Sequence, residues 1–132
     1  MDPNIEQACG SEVILKALSF QIMAAVFEVH NVLGPGFLEN VYGKALLTEL
    51  QLRGIRAEAQ KPVQVMYKGK EVGSYYPDII VNDEVIIELK AIDKLSPLHE
   101  AQVLNYLKAT GMKLGLLVNF GRDKVEYKRL VL

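Results

Sequence analysis

Cysteine is all but missing from this 132-residue chain. Cys9 stands alone, so no internal disulfide forms and no thiolate cluster can hold a metal. Histidine is nearly as scarce, with only His30 and His99, and neither has histidine or carboxylate partners at the spacing of a zinc site. No apolar run is long enough to span a bilayer, and Asp2, Glu6 and Glu12 stand where a signal peptide would need basic and apolar segments. A cytoplasmic protein without a membrane partner is expected. Neither sign of charge is in excess: 15 Lys and Arg against 16 Asp and Glu leave a net charge of -1. Many nucleic-acid binders are distinctly basic, so contact with phosphates has to come from a local patch. Lys68 and Lys70, Lys108 and Lys113, or Arg122, Lys124, Lys128 and Arg129 could supply one, although ordinary solubilising surface also accounts for them. Internal repeats, low-complexity tracts and long linkers are absent as well.

What is present is a composition half hydrophobic, at 50%. That is enough to bury one core, so residues 1–132 are expected to form a single domain with 1–11 as a frayed leader. Ile14, Ala17, Leu18, Ile22, Ala25, Val26 and Val29 recur at helical spacing and predict a helix that ends near Leu33, before Gly34-Pro35-Gly36. A second stripe, Leu38, Val41, Tyr42, Ala45, Leu46 and Leu50, predicts another helix, with Gly54 as its left-handed cap. Val63, Val65 and Tyr67 alternate with polar residues up to a turn at Lys68-Gly69. Two apolar strands follow, one after Asp78 and one leading to Glu88, and the three together predict a meander. Ser96-Pro97 opens a helix running to Gly111, Leu114 to Phe120 reads as a buried strand, and Val125 to Leu132 as a last edge strand. The order α-α-β-β-β-α-β-β predicts an α/β (α+β) fold with a mixed central sheet flanked by helices.

One stretch carries chemistry. Tyr76-Pro77-Asp78-Ile79-Ile80-Val81 is followed by a short Asn82-Asp83 link and then by Val85-Ile86-Ile87-Glu88-Leu89-Lys90. A tight hairpin there lays the two strands side by side, and alternation points Glu88 and Lys90 to the same face. Charges inside an apolar strand are costly unless a partner or a metal compensates. A surface salt bridge on an edge strand is the plain alternative. Asp78, just before its own apolar run, tips the balance toward three charged groups converging on one end of a sheet.

Pro77-Asp78 with Glu88-Leu89-Lys90 resembles the signature of the PD-(D/E)XK nucleases, the restriction-endonuclease-like fold. More specifically, Gly36-Phe37-Leu38-Glu39-Asn40-Val41-Tyr42 resembles the motif that names the GxxExxY proteins, one branch of that superfamily. The likeness takes in Leu33-Gly34-Pro35-Gly36, Glu88-Leu89-Lys90-Ala91, His99-Glu100-Ala101-Gln102, Asn105-Tyr106-Leu107 and Leu114 to Gly121. It covers the chain from about Ala25 to the C-terminus.

The resemblance implies catalytic roles for Asp78, Glu88, Lys90 and Glu39, with Asp78, Glu88 and Glu39 as metal ligands. A glutamate at the start of a helix is also stabilised there by the helix dipole alone. Gln102 and Tyr106, four residues apart on one helix face, resemble a substrate-positioning motif of RecB-like members. Tyr42 joins them as a positioning residue or as a core aromatic. Hard oxygen ligands suit Mg2+ or Mn2+. The implied function is a Mg2+-dependent nuclease acting on DNA or RNA. Two other readings stay open: a non-catalytic nucleic-acid-binding or protein-interaction module that retains the site, and hydrolysis of a small phosphate ester. A homodimer is a further expectation, through sheet edges or through Val13, Leu15, Phe20 and Met23 of the first helix.

Overall fold

The computed structural model describes the backbone of residues 3–132 and the side chains from Leu15 onward. Cys9, Val13 and the side chains of the expected 1–11 leader lie outside the described residues. Helix α1 (Pro3–Leu33) leads through the Gly34–Leu38 loop to α2 (Glu39–Leu52). Strand β1 (Ala57–Ala59) follows, then the hairpin β2 (Val63–Tyr67) and β3 (Lys70–Tyr75), then β4 (Ile79–Val81) and β5 (Val85–Lys90). Helix α3 (Pro97–Thr110) crosses over to β6 (Leu114–Asn119), and β7 (Glu126–Val131) ends the fold.

Five strands form a mixed sheet in the order β1-β4-β5-β6-β7, with β5 and β6 parallel and the other pairs antiparallel. The parallel pair needs a crossover, which α3 supplies. Alternation sorts the side chains. Ile79, Val81, Val85, Ile87, Leu89, Leu114, Leu116 and Val118 pack against α1 and α2. Ile80, Ile86 and Leu117 pack against α3. Glu88 and Lys90 share the parity of Ile86 and so belong to the α3 face.

The predicted three-stranded meander is corrected in its pairing. β2 pairs with β3 as a separate two-stranded sheet, and the neighbour of β4 is β1. β1 is only three residues long, too short to show a period, and β3 (KEVGSY) is polar because it stands off the core and is exposed at all but Tyr75. The three expected helices are present and end where the sequence places their ends, although α1 begins at Pro3, well before the stripe that starts at Ile14. Gly54 takes φ 73° just past α2 and Gly111 takes φ 74° at the end of α3, the left-handed conformation that only glycine adopts without cost.

Of the residues expected at an interface, Met23 is buried in the core and Leu15 is partly buried against it, whereas Phe20 is 78% exposed. No helix among the described residues is long and apolar enough to cross a membrane.

Candidate active site

The short β4–β5 connection is the device that builds the site. Asn82 and Asp83 both take left-handed φ values of 52° and 53°, and Glu84 N donates to Val81 O at 2.9 Å. Asn and Asp tolerate this conformation better than most residues. The register Ile79 opposite Ile87 then sets Asp78 beside Glu88. The backbone N–H of Leu89 donates to Asp78 Oδ2 at 2.7 Å, and that of Asp78 donates to Glu88 Oε1 at 3.2 Å. Each carboxylate is thus aimed by the strand that carries the other, and each has a second oxygen outside these bonds.

β5 lies in the interior of the sheet and Glu88 is 7% exposed, so the edge-strand salt bridge does not form. Among the described residues no ion pair within 4.0 Å ties Lys90 to Asp78 or Glu88. Lys90 is still close enough for its charge to oppose the rise in the carboxyl pKa values. Burial, followed by the Asp78 charge, pushes the Glu88 carboxyl up from 4.5 to about 8. Burial raises Asp78 as well, against the hydrogen bond from Leu89 and the charge of Lys90. Two acids held side by side in a poorly solvated place resist ionising together.

The structure brings Glu39 to the same end of the sheet. It begins α2, and its carboxyl is raised by partial burial and by Asp78 while Lys90 and His99 pull it down. With Asp78 it lines a cleft of about 420 Å³ whose wall includes Lys44, Gln60 and Leu89. Glu39 does not close onto the acid pair: among the described residues no three His, Cys, Asp or Glu side chains form a metal-sized cluster.

Gln102 and Tyr106 are joined directly, Gln102 Nε2 donating to the Tyr106 hydroxyl at 2.6 Å. Burial and then Glu88 raise the Tyr106 pKa, with a smaller contribution from Asp78. Tyr42 is set apart. It is fully buried, stacks on Phe120 at 4.6 Å, donates its hydroxyl to Gly34 O and accepts from Phe37 N at 3.2 Å. That pins the loop preceding Glu39.

Three groups at the site went unread in the sequence. Tyr75 stacks on Tyr106 at 3.8 Å and donates to its backbone carbonyl at 3.0 Å, and its pKa is raised by burial, Tyr106 and Glu88. Its only sequence signal is adjacency to Tyr76-Pro77-Asp78. Gln60 takes φ 57° and donates its N–H to Asp78 O at 3.3 Å, with no signal in its spacing. Asn119, opposite Lys90 in the parallel pair, is fully buried. Its Oδ1 accepts from Ile92 N and Gly121 N, and its Nδ2 donates to Ile92 O and Glu126 Oε1. These bonds clamp the loop that leads from Lys90 to α3. At the start of α3, Ser96 N–H donates to His99 Nδ1 at 3.0 Å, which leaves the ring proton of a neutral His99 on Nε2.

A divalent cation is compatible with these donors. Two carboxylates with raised pKa values and one free oxygen each are a hard, anionic pair that gains from a positive charge, and a Mg2+-like ion accepts one or two carboxylates with waters completing its shell. The acid pair sits at the C-terminal end of β5, where open α/β sheets place their ligand crevices.

No curated protein matches the chain. A solved structure, described as the crystal structure of SSO0001, is similar with a TM-score of 0.53 at 24% identity. The match covers 70% of this chain and 48% of that one, so the chain spans about half the length of that relative. The shared architecture is the restriction-endonuclease-like fold. The family model of the PD-(D/E)XK nuclease superfamily matches residues 16–130, and the chain belongs to that superfamily.

Proposed function

We propose that the chain is a divalent-metal-dependent nuclease of the GxxExxY branch, cleaving phosphodiester bonds of DNA or RNA. The observation that supports this most is the Asp78–Glu88 pair, in which each acid is held by the other's strand, with Lys90 one step along the same face and in no ion pair among the described residues. A bound Mg2+ or Mn2+ would supply neutralisation of the phosphate and activation of a water. Asp78 and Glu88 would hold it through their unused oxygens, and Glu39, farther out, would reach it through water.

The chain's own residues do the rest. Lys90 carries a positive charge beside the acid pair and would orient the attacking water or offset charge growing on the phosphate oxygens. Gln102 and the Tyr106 hydroxyl, already bonded to each other, present a rigid polar edge for the substrate backbone. Tyr42 acts at a distance, by fixing the loop from which Glu39 projects. The protein would work in the cytoplasm, and exposed Phe20, beside an apolar groove of α1 and Tyr127, would support a homodimer.

The test is incubation of the wild type, Asp78→Ala and Lys90→Ala with single-stranded and duplex DNA and RNA in Mg2+ or Mn2+. Loss of cleavage in both folded variants supports the nuclease, whereas equal cleavage by all three identifies a contaminant. Absence of cleavage by every protein favours the non-catalytic binding module.

A further inference from the structure

The β2–β3 hairpin is not needed to close the main sheet, and its tip carries side chains that a structural role would not choose. Its two-residue turn, Lys68-Gly69, places both residues in left-handed conformations, at φ 48° and 81°. Such turns favour Asn or Gly at the first position, and this chain uses Asn82 at the corresponding place of its other hairpin. A lysine there is strained, and strain of this kind collects at functional positions. Lys68 Nζ lies 5.4 Å from the centre of the Tyr67 ring, and Tyr67 is 61% exposed. Lys70 follows, and Glu71 is the only acid between Val63 and Tyr75.

The base of the hairpin joins this tip to the acid pair. Val65, Met66 and Tyr75 face Asn105, Tyr106 and Lys108 of α3 across a groove of about 690 Å³. Tyr75 and Tyr106, both in its lining, stack on each other at 3.8 Å, and Tyr75 lies three residues before Asp78 in the chain. Tyr76, also largely exposed, stands two residues before Asp78. Tyr67 near the tip and Tyr75 at the base thus stand at the two ends of one hairpin, whose strand β3 spans about 17 Å.

We propose that the β2–β3 hairpin and α3 form a track that delivers a single-stranded nucleic acid to the acid pair, with bases stacking on Tyr67 and in the Tyr75–Tyr106 groove. It rests on the nuclease reading of that same site. A single strand fits where a duplex does not. Unpaired bases have free faces to stack on exposed rings, whereas a duplex hides them and offers mainly phosphates. The track carries only Lys68, Lys70 and Lys108, fewer cations than the 6–10 phosphate contacts on which a duplex binder typically relies.

Fluorescence anisotropy of labelled dT20 and of a duplex of equal length, with wild-type protein in EDTA, separates binding from cleavage. The wild type is expected to bind dT20 at least about tenfold tighter than the duplex, and Tyr67→Ala to lose roughly tenfold, the scale of one base–aromatic stack. Lys68→Ala should reduce the slope of affinity against salt by about 0.7, one phosphate contact on a single strand. Phe20→Ala, on α1 and so across the sheet from α3, should bind as the wild type does. Equal affinity for duplex and single strand overturns the track, as does wild-type binding by Tyr67→Ala. So does a Tyr67→Ala effect confined to the sedimentation of a dimer. Tyr67-dependent binding without cleavage in Mg2+ keeps the track and removes the nuclease. Cleavage that survives Tyr67→Ala with unchanged KM keeps the nuclease and removes the track.

Discussion

Replacing Glu88 with glutamine should make the metal-free protein more stable at pH 8. In the fold the Glu88 carboxyl is pushed from 4.5 to about 8, so between those values the folded state holds a proton that the unfolded chain has released. Stability from this group is complete below pH 4.5, falls as pH rises, and is lowest above pH 8. At about 1.4 kcal/mol per tenfold change, the full difference is on the order of 5 kcal/mol. Asp78 titrates with Glu88, and sharing the effect between the two leaves about 2–3 kcal/mol to Glu88 itself. Glutamine keeps the shape and can still accept the Asp78 N–H without carrying charge. In EDTA at pH 8, Glu88→Gln is therefore expected to melt about 10 °C above the wild type, using roughly 4 °C per kcal/mol for a chain of this size. Its Tm should also fall less between pH 5 and pH 8.5, and Asp78→Asn should move in the same direction. Thermal denaturation followed by circular dichroism reads both. A Glu88→Gln protein that melts at or below the wild type at pH 8, with an unchanged pH slope, would refute the strained-acid account.

Other parts of the fold give independent tests, each read as Tm or as a denaturation midpoint. A Cβ on Gly115 would lie 2.5 Å from Val103 Cγ1; Gly115→Ala should cost about 1–3 kcal/mol by overpacking α3 on β6, and Val103→Ala in the same chain should recover part of it. Asn119→Ala leaves the Ile92 N–H, Ile92 carbonyl and Gly121 N–H without their side-chain partner, and a loss of about 3 kcal/mol is expected. Tyr42→Phe removes one buried hydroxyl from Gly34 O and Phe37 N and should cost about 1–2 kcal/mol, with slower cleavage if Glu39 shifts with the loop.

Asp78, Glu88 and Lys90 were legible in the sequence because a strand's period of two and a short turn fix their geometry almost by themselves. Helices α1, α2 and α3 were legible for the same kind of reason, with glycine marking two of their ends. β1 and β3 were not. One has three residues, and the other is polar because its hairpin leans on α3 without entering the core, so neither shows alternation. The pairing of β4 with β1 is a contact between segments about 20 residues apart, and nothing local in Ala57-Glu58-Ala59 encodes it. Tyr75 reaches the site only through that off-sheet hairpin and its stack on Tyr106. Asn119 falls inside the stretch from Leu114 to Phe120 that reads as a buried strand, and nothing local shows that its side chain holds the backbone of a loop 27 residues earlier.

The central claim is that Asp78 and Glu88 hold a metal while Lys90 serves the chemistry, and one comparison separates the two roles. Mn2+ affinity, by calorimetry, and the cleavage rate of a labelled oligonucleotide at saturating Mn2+ are measured for the wild type and Lys90→Ala. Loss of a nearby positive charge should leave Mn2+ binding equal or tighter, while cleavage falls by about 100-fold, within the usual range for a group acting only in the transition state. Unchanged cleavage at saturating Mn2+ would contradict the account.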